Sequence, residues 1–187
     1  MRFRPCYFKL KSIRIWKEDL YACTRKSKIL CKKKEKENLK FRTFLKMNAD
    51  EDELDQQFKE LHEELFSNYN CLECLNCCEQ YAGSIPKEDI EKDAAYLHMK
   101  KDEFIQQYLK ESDEPGYYYT LHKPCDFLQE DGHCLLKENK PENCKNFPYT
   151  NQPERIWSLW SVLSVIEVCP VAFEIFERLK RIYGFKK

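Results

Sequence analysis

Residues 71–78 read Cys71-Leu72-Glu73-Cys74-Leu75-Asn76-Cys77-Cys78, four thiols in eight positions. Cysteines two residues apart in a tight run are typical metal ligands, because one short turn brings both sulfurs to a single ion. Eleven cysteines in 187 residues is far above ordinary usage. Four more, Cys125, Cys134, Cys144 and Cys169, are spread over the C-terminal half, so eight thiols fall into two groups of four. The remaining Cys6, Cys23 and Cys31 lack a partnered spacing and read as incidental. The total is odd and nothing marks the chain for an oxidising compartment, which disfavours a disulfide framework and favours metal.

The two adjacent thiols limit how an ion is held. If 71–78 is helical, Cys71, Cys74 and Cys78 share a face and Cys77 sits about 100° away from Cys78. If it is extended, Cys77 and Cys78 point to opposite sides. In both cases one of the pair is expected to serve a second metal, bridge two metals or bond elsewhere. Eight thiolates then suggest two tetrahedral sites, or one cluster plus one site, with ligands from both halves of the chain and folding coupled to metal binding.

The composition, 42% hydrophobic and 34% charged, is that of a folded domain with a heavily charged surface. Residues 47–187 are expected to form one cysteine-cluster domain with flanking helices. No apolar run approaches the 18 or so residues of a membrane span, and the N-terminus has no hydrophobic signal core, so the sequence predicts a cytosolic protein without membrane partners. A net charge of zero hides a strong asymmetry. Residues 1–46 carry sixteen Lys/Arg and four Asp/Glu, a net +12, which the remainder offsets. That basic arm, with Phe3, Tyr7, Phe8, Trp16 and Tyr21 interleaved, has no nucleic-acid recognition motif, and the basic patch alone does not support nucleic-acid binding. It reads instead as a solvated extension, or as sequence upstream of a true start at Met47.

Periodicity gives an α+β, mainly helical fold: a small metal-centred domain with one β-hairpin. Helices are expected over 49–66, from about 86 to 98, from about 102, over 156–166 and over 171–183. Residues 117–121 read as a strand. The hairpin is expected where 125–128 and 134–137 flank a turn carrying Asp131-Gly132, which would bring Cys125 and Cys134 together. Trp157, Trp160, Leu163 and Ile166 read as a core stripe.

Taken together, CLECLNCC at 71–78, the segment from Pro124 to Thr150 and Cys169-Pro170 closely resemble the YkgJ-type cysteine-cluster family, with its CxxCxxCC motif, over roughly residues 70–172. The resemblance implies chelation of zinc or iron. It also implies Cys71, Cys74, Cys77, Cys78, Cys125, Cys134, Cys144 and Cys169 as the ligands, and it implies no particular reaction. Two mild departures stand out: Leu135-Leu136 where the family has Ile-Tyr, and Lys140-Pro141 where it has Arg-Pro.

All-thiolate donors suit zinc and an iron-sulfur cluster about equally. Cys169-Pro170 is a ferredoxin-like pairing, whereas the absence of spacing between Cys77 and Cys78 is not. Lys123, Lys137, Lys140 and Lys145 would offset thiolate charge or simply be solvated. His122 and His133 read as surface residues, since eight cysteines already fill two sites, and His62 and His98 read as helix-surface groups. No nucleophile elbow, phosphate loop, dinucleotide fingerprint or metalloprotease motif occurs, and no catalytic residue is assigned. The favoured expectation is a non-catalytic protein holding metal for structure, storage or delivery to a protein partner. The alternative is a redox or catalytic iron-sulfur protein; a family resembling flagellin lysine N-methylase shares the motif.

Overall fold

The computed structural model of the protein describes residues 31–67 and 69–186. Cys6, Cys23 and the aromatic residues of the basic arm lie outside the described residues.

Two helices open the described chain. α1 (Glu35–Asn48) carries Glu35 and Glu37 in its first turn and Lys46 in its last, matching the helix dipole at both ends. α2 (Glu51–Phe66) starts where Asp50 accepts a hydrogen bond from the Glu53 amide (3.1 Å) and three acids occupy the first turn. Its apolar face, Leu54, Phe58 and Leu61, is buried as the periodicity predicts. The long C-terminal helix, with Pro170 at its start and Lys180 and Arg181 in its last turn, closes over this face and buries Val171, Ala172, Ile175, Phe176 and Leu179.

The expected boundary between residues 46 and 47 falls inside α1. Phe41 and Leu45 are completely buried in the same core as Phe58 and Phe176, with the Phe41 and Phe176 rings 5.1 Å apart edge to face. A buried polar tie reinforces this packing. The Lys180 ammonium donates to Asn38 Oδ1 (2.5 Å), Glu37 (2.9 Å) and Glu177 (2.6 Å), and Lys34 pairs with Glu177.

Only half of the expected stripe is core: Ile166 is buried and Leu163 packs against the core, whereas the two tryptophans face outward. Leu159, Val162 and Ile166 are the inward residues of this region, which leaves Trp160 about 100° round from Leu159 and 58% exposed, with Trp157 70% exposed. Basic residues of α1 cover both rings: Arg42 sits 4.1 Å from the Trp160 ring centroid and Lys46 4.1 Å from that of Trp157.

A second, smaller core lies between the cysteine segments. Residues from 71 onward form α3 (Cys71–Cys74), α4 (Asn76–Gln80), β1 (Ser84–Pro86), α5 (Ile90–Tyr96), α6 (Lys101–Tyr108), β2 (Leu109–Glu111) and β3 (Tyr117–Thr120). The three strands form an antiparallel sheet in the order β1-β3-β2, with Ile85 opposite Tyr118 and Lys110 opposite Tyr119. Pro86 is tolerated because β1 is an edge strand. The sequence reading supplied only β3, since three-residue strands carry no alternation to detect. Conversely, the expected hairpin narrows to a single bridge between Leu128 and Cys134, because Phe127 and Leu136 turn inward with Ile85, Ile90 and Phe104. The chain then continues through α7 (Glu142–Asn146), α8 (Leu159–Val165) and α9 (Pro170–Ile182).

Asp93, on α5, is fully buried in this region, and neither carboxylate oxygen has a hydrogen-bond partner. Burial pushes its pKa up to about 6. A carboxyl whose folded pKa is raised favours the fold when protonated, so its contribution is fully present below pH 4 and is lost as pH rises through about 6. Asp93→Asn is therefore expected to gain stability relative to the native protein at pH 7, on the order of 3 kcal/mol, and to show little of that gain at pH 4. Denaturant melts of both proteins at the two pH values check this; a difference independent of pH would refute it.

Candidate metal centre

The cysteine run is neither one helix nor a strand. Leu75 adopts a left-handed conformation (φ 53°), which breaks the segment into α3 and α4 and sets the two cysteine pairs on separate turns. Asn70 caps α3 by accepting from the Leu72 amide (3.0 Å). The Cys77 and Cys78 sulfurs are 3.9 Å apart. The adjacent pair thus converges, where helix or strand geometry alone predicts divergence.

Other parts of the chain are tied to this run on both sides. Asn76 is buried and donates to the Val168 carbonyl (2.6 Å), which brings the start of α9 and Cys169 to α4. On the other side, the Cys125 amide donates to the Cys78 carbonyl (2.8 Å), and the Leu128–Cys134 bridge places Cys134 on the same loop. Gly132 seats the turn of that loop on α3. It has positive φ (84°), and a Cβ there would lie 3.0 Å from the Leu72 carbonyl oxygen. Gly83 is equally constrained by contact: a Cβ would lie 3.1 Å from Cys125 Sγ. Asn143, beside Cys144, donates to the Ser84 carbonyl (3.1 Å) and so anchors α7 to β1.

The thiols therefore collect where the two cores meet. Cys169 belongs to the first core, and Cys125 and Cys134 pack against the second. Cys77, Cys78, Cys125 and Cys144 share the wall of one cavity. Cys71 and Cys74 lie one helical turn apart on α3. Burial pushes the Cys169 thiol up to about 12, with the charges of Cys74 and Cys71 acting in the same direction. It pushes Cys144 up to about 11, partly offset by Lys140 and reinforced by Cys125. Cys77 is held below the ordinary thiol value by its hydrogen bond with Cys78. Burial raises the Tyr69 phenol, and Cys74 acts in the same direction. As the side chains stand, no three His, Cys, Asp or Glu groups among the described residues converge tightly enough to hold an ion.

The other sequence candidates separate from this cluster. Cys31 is buried in the first core, accepts from Asn38 (3.7 Å), and has its thiol pushed up to about 11 by burial. His122 and His133 are exposed and pair with Asp126 (2.6 Å) and Asp131 (3.4 Å). His62 is half-buried and bonds Thr150 (2.8 Å), tethering α2 to the segment after α7. Lys123 and Lys140 line the cavity, whereas Lys145 donates to the Glu138 carbonyl (3.2 Å). Sequence reasoning missed Gly83, Lys110, Tyr119, Asn143 and Tyr149; the register that places Lys110 beside Tyr119 depends on β2, which left no signal.

A mainly helical α+β domain with soft thiol donors gathered at the junction of two cores has the makeup of a chelating domain. The chain belongs to the CxxCxxCC family, described as "Putative zinc- or iron-chelating domain", whose model matches residues 70–163, just over half of the chain. An uncharacterised protein of Methanocaldococcus jannaschii is 31% identical over 88 residues, 45% of this chain and 46% of that protein. The chain thus spans less than half the length of that relative. No solved structure matches.

Proposed function

We propose that this is a non-catalytic cytosolic metal-handling protein, in which Cys71, Cys74, Cys77, Cys78, Cys125, Cys134, Cys144 and Cys169 hold zinc or iron for structure, storage or delivery. The observation that carries this reading is the convergence of thiols from both halves of the chain on the junction of two separate cores. Neither core is large, and a thiolate-bound metal between them would link the two. Soft, all-sulfur donors suit zinc and iron and are poor ligands for magnesium or calcium. Rotation of the cysteine side chains would be needed to close on an ion.

The ties to the run support a division into two sets of four. The Asn76–Val168 hydrogen bond brings Cys169 to the run, and Cys169 interacts with Cys71, Cys74 and Cys77, which supports grouping these four. Cys78 lies on the side joined to Cys125, and through that loop to Cys134, with Cys144 on the shared cavity wall. The sets meet at the Cys77–Cys78 contact. Each would carry a formal charge of about −2 as a zinc tetrathiolate, and Lys140, which lowers the Cys71, Cys77, Cys78, Cys134 and Cys144 thiols, would offset part of it.

Elemental analysis of protein purified without oxygen, with sulfide assay and visible spectrum, tests the reading. Bound zinc or iron is expected, and Cys74→Ser and Cys144→Ser are each expected to lower both metal content and thermal stability. Native metal content and stability in both variants would refute the ligand assignment. Acid-labile sulfide with brown absorbance would replace it with the iron-sulfur alternative.

A further inference from the structure

The cavity beside the cysteines has walls that chelation does not use. Its volume is about 480 Å³, within the range of small-molecule sites. Lys110, Lys123 and Lys140 line it, and no Asp or Glu does. The ion pairs of the described lysines involve Lys34, Lys92, Lys145 and Lys180 and none of these three. Lys140 acts on the thiols, while Lys110, on edge strand β2, and Lys123, two residues before Cys125, make no ion pair with a carboxylate among the described residues. Two lysines with no carboxylate partner at one cavity make a positive field suited to an oxyanion.

Aromatic faces complete the wall. Tyr119 stands beside Lys110 across the sheet. Phe147 packs its ring 6.3 Å from Tyr149 and 5.8 Å from Tyr81. The Asn143 Oδ1 atom, on the same wall, is buried without a hydrogen-bond partner, which leaves an acceptor for a donor on the ligand.

We propose that this cavity binds a small organic oxyanion, its carboxylate or phosphate held by Lys110 and Lys123 and its planar apolar body lying against Tyr119, Phe147 and Tyr149. The site goes beyond chelation and depends on lysines and rings, none of them a thiol. It would place an anionic small molecule directly beside the cysteine cluster.

Calorimetric titration of the full chain with 2-naphthoate, 2-naphthyl phosphate and the neutral 2-naphthamide tests it. At least one anion is expected to bind once per chain and about tenfold more tightly than the amide. The double variant Lys110→Gln/Lys123→Gln changes two exposed side chains and is expected to lose that preference while keeping native metal content and melting temperature. Equal affinity for anion and amide, no binding of any of the three, or an unchanged preference in the double variant would each overturn the proposal. Metal content is read on the same samples. Anion binding without metal would fail the chelation reading alone, and metal without anion preference would fail this one alone.

Discussion

Stripping the metal-loaded protein with a chelator is expected to lower its melting temperature by about 10 °C or more, and returning zinc or iron is expected to restore it. The expectation rests on where the cysteines are. Cys169 stands just before α9 in the first core, while Cys125 and Cys134 pack on the second, so a bound ion would link elements that otherwise share few buried side chains. A ligand bound only by the folded state adds on the order of 4 kcal/mol at a thousandfold excess over its dissociation constant, and in a domain of this length each kcal/mol is worth roughly 2–4 °C. Structural zinc can supply considerably more. Identical melting curves for loaded and stripped protein would show that the thiols bear no weight in the fold.

The second large effect lies away from the cysteines. Phe41→Ala is expected to cost about 3–5 kcal/mol in denaturant melts, the usual range for deleting a fully buried phenylalanine. Phe41 has no exposed surface and is surrounded by the Phe176, Phe185 and Phe44 rings at 5.1, 5.0 and 6.2 Å. Phe44→Ala, at a partly buried position, serves as the milder comparison. A cost below about 1 kcal/mol for Phe41→Ala would mean that α1 rests on the core without completing it. A chain beginning at Met47 would lack Phe41, Leu45 and the Asn38 partner of Lys180.

Much of the fold was legible where periodicity is long. The faces of α2 and α9 repeat their apolar residues over three or more turns, and both helices lie within a residue or two of the expected bounds. The end of the basic arm, residues 31–46, misled because its seven Lys/Arg outnumber its five apolar residues. Phe41 and Leu45 are only one helical turn apart in a strongly charged stretch, yet they suffice to dock α1. Trp157 and Trp160 misled in the opposite sense, since their size suggested burial while Arg42 and Lys46 cover them at the surface. The sheet escaped notice because each strand has three or four residues and two of the three are edges.

The candidate site was legible as a set of residues and not as a shape. Spacing and the family resemblance named eight cysteines. The turn at Leu75, the Asn76–Val168 tie and the Cys78–Cys125 backbone bond, which together suggest a division of those thiols, are contacts across 45 residues or more or depend on one left-handed residue. The lysine-lined cavity depends on the register of a strand with no sequence signal, so it emerges only from the fold.

Bound metal per chain, measured side by side in the native protein, Cys169→Ser and Cys144→Ser, tests the account most directly. Two ions are predicted for the native chain and about one for each variant, because each substitution would disable one set of four thiols and spare the other. No metal in the native chain, or two ions retained in both variants, would contradict it; complete loss from either single variant would contradict the division and point to one shared cluster.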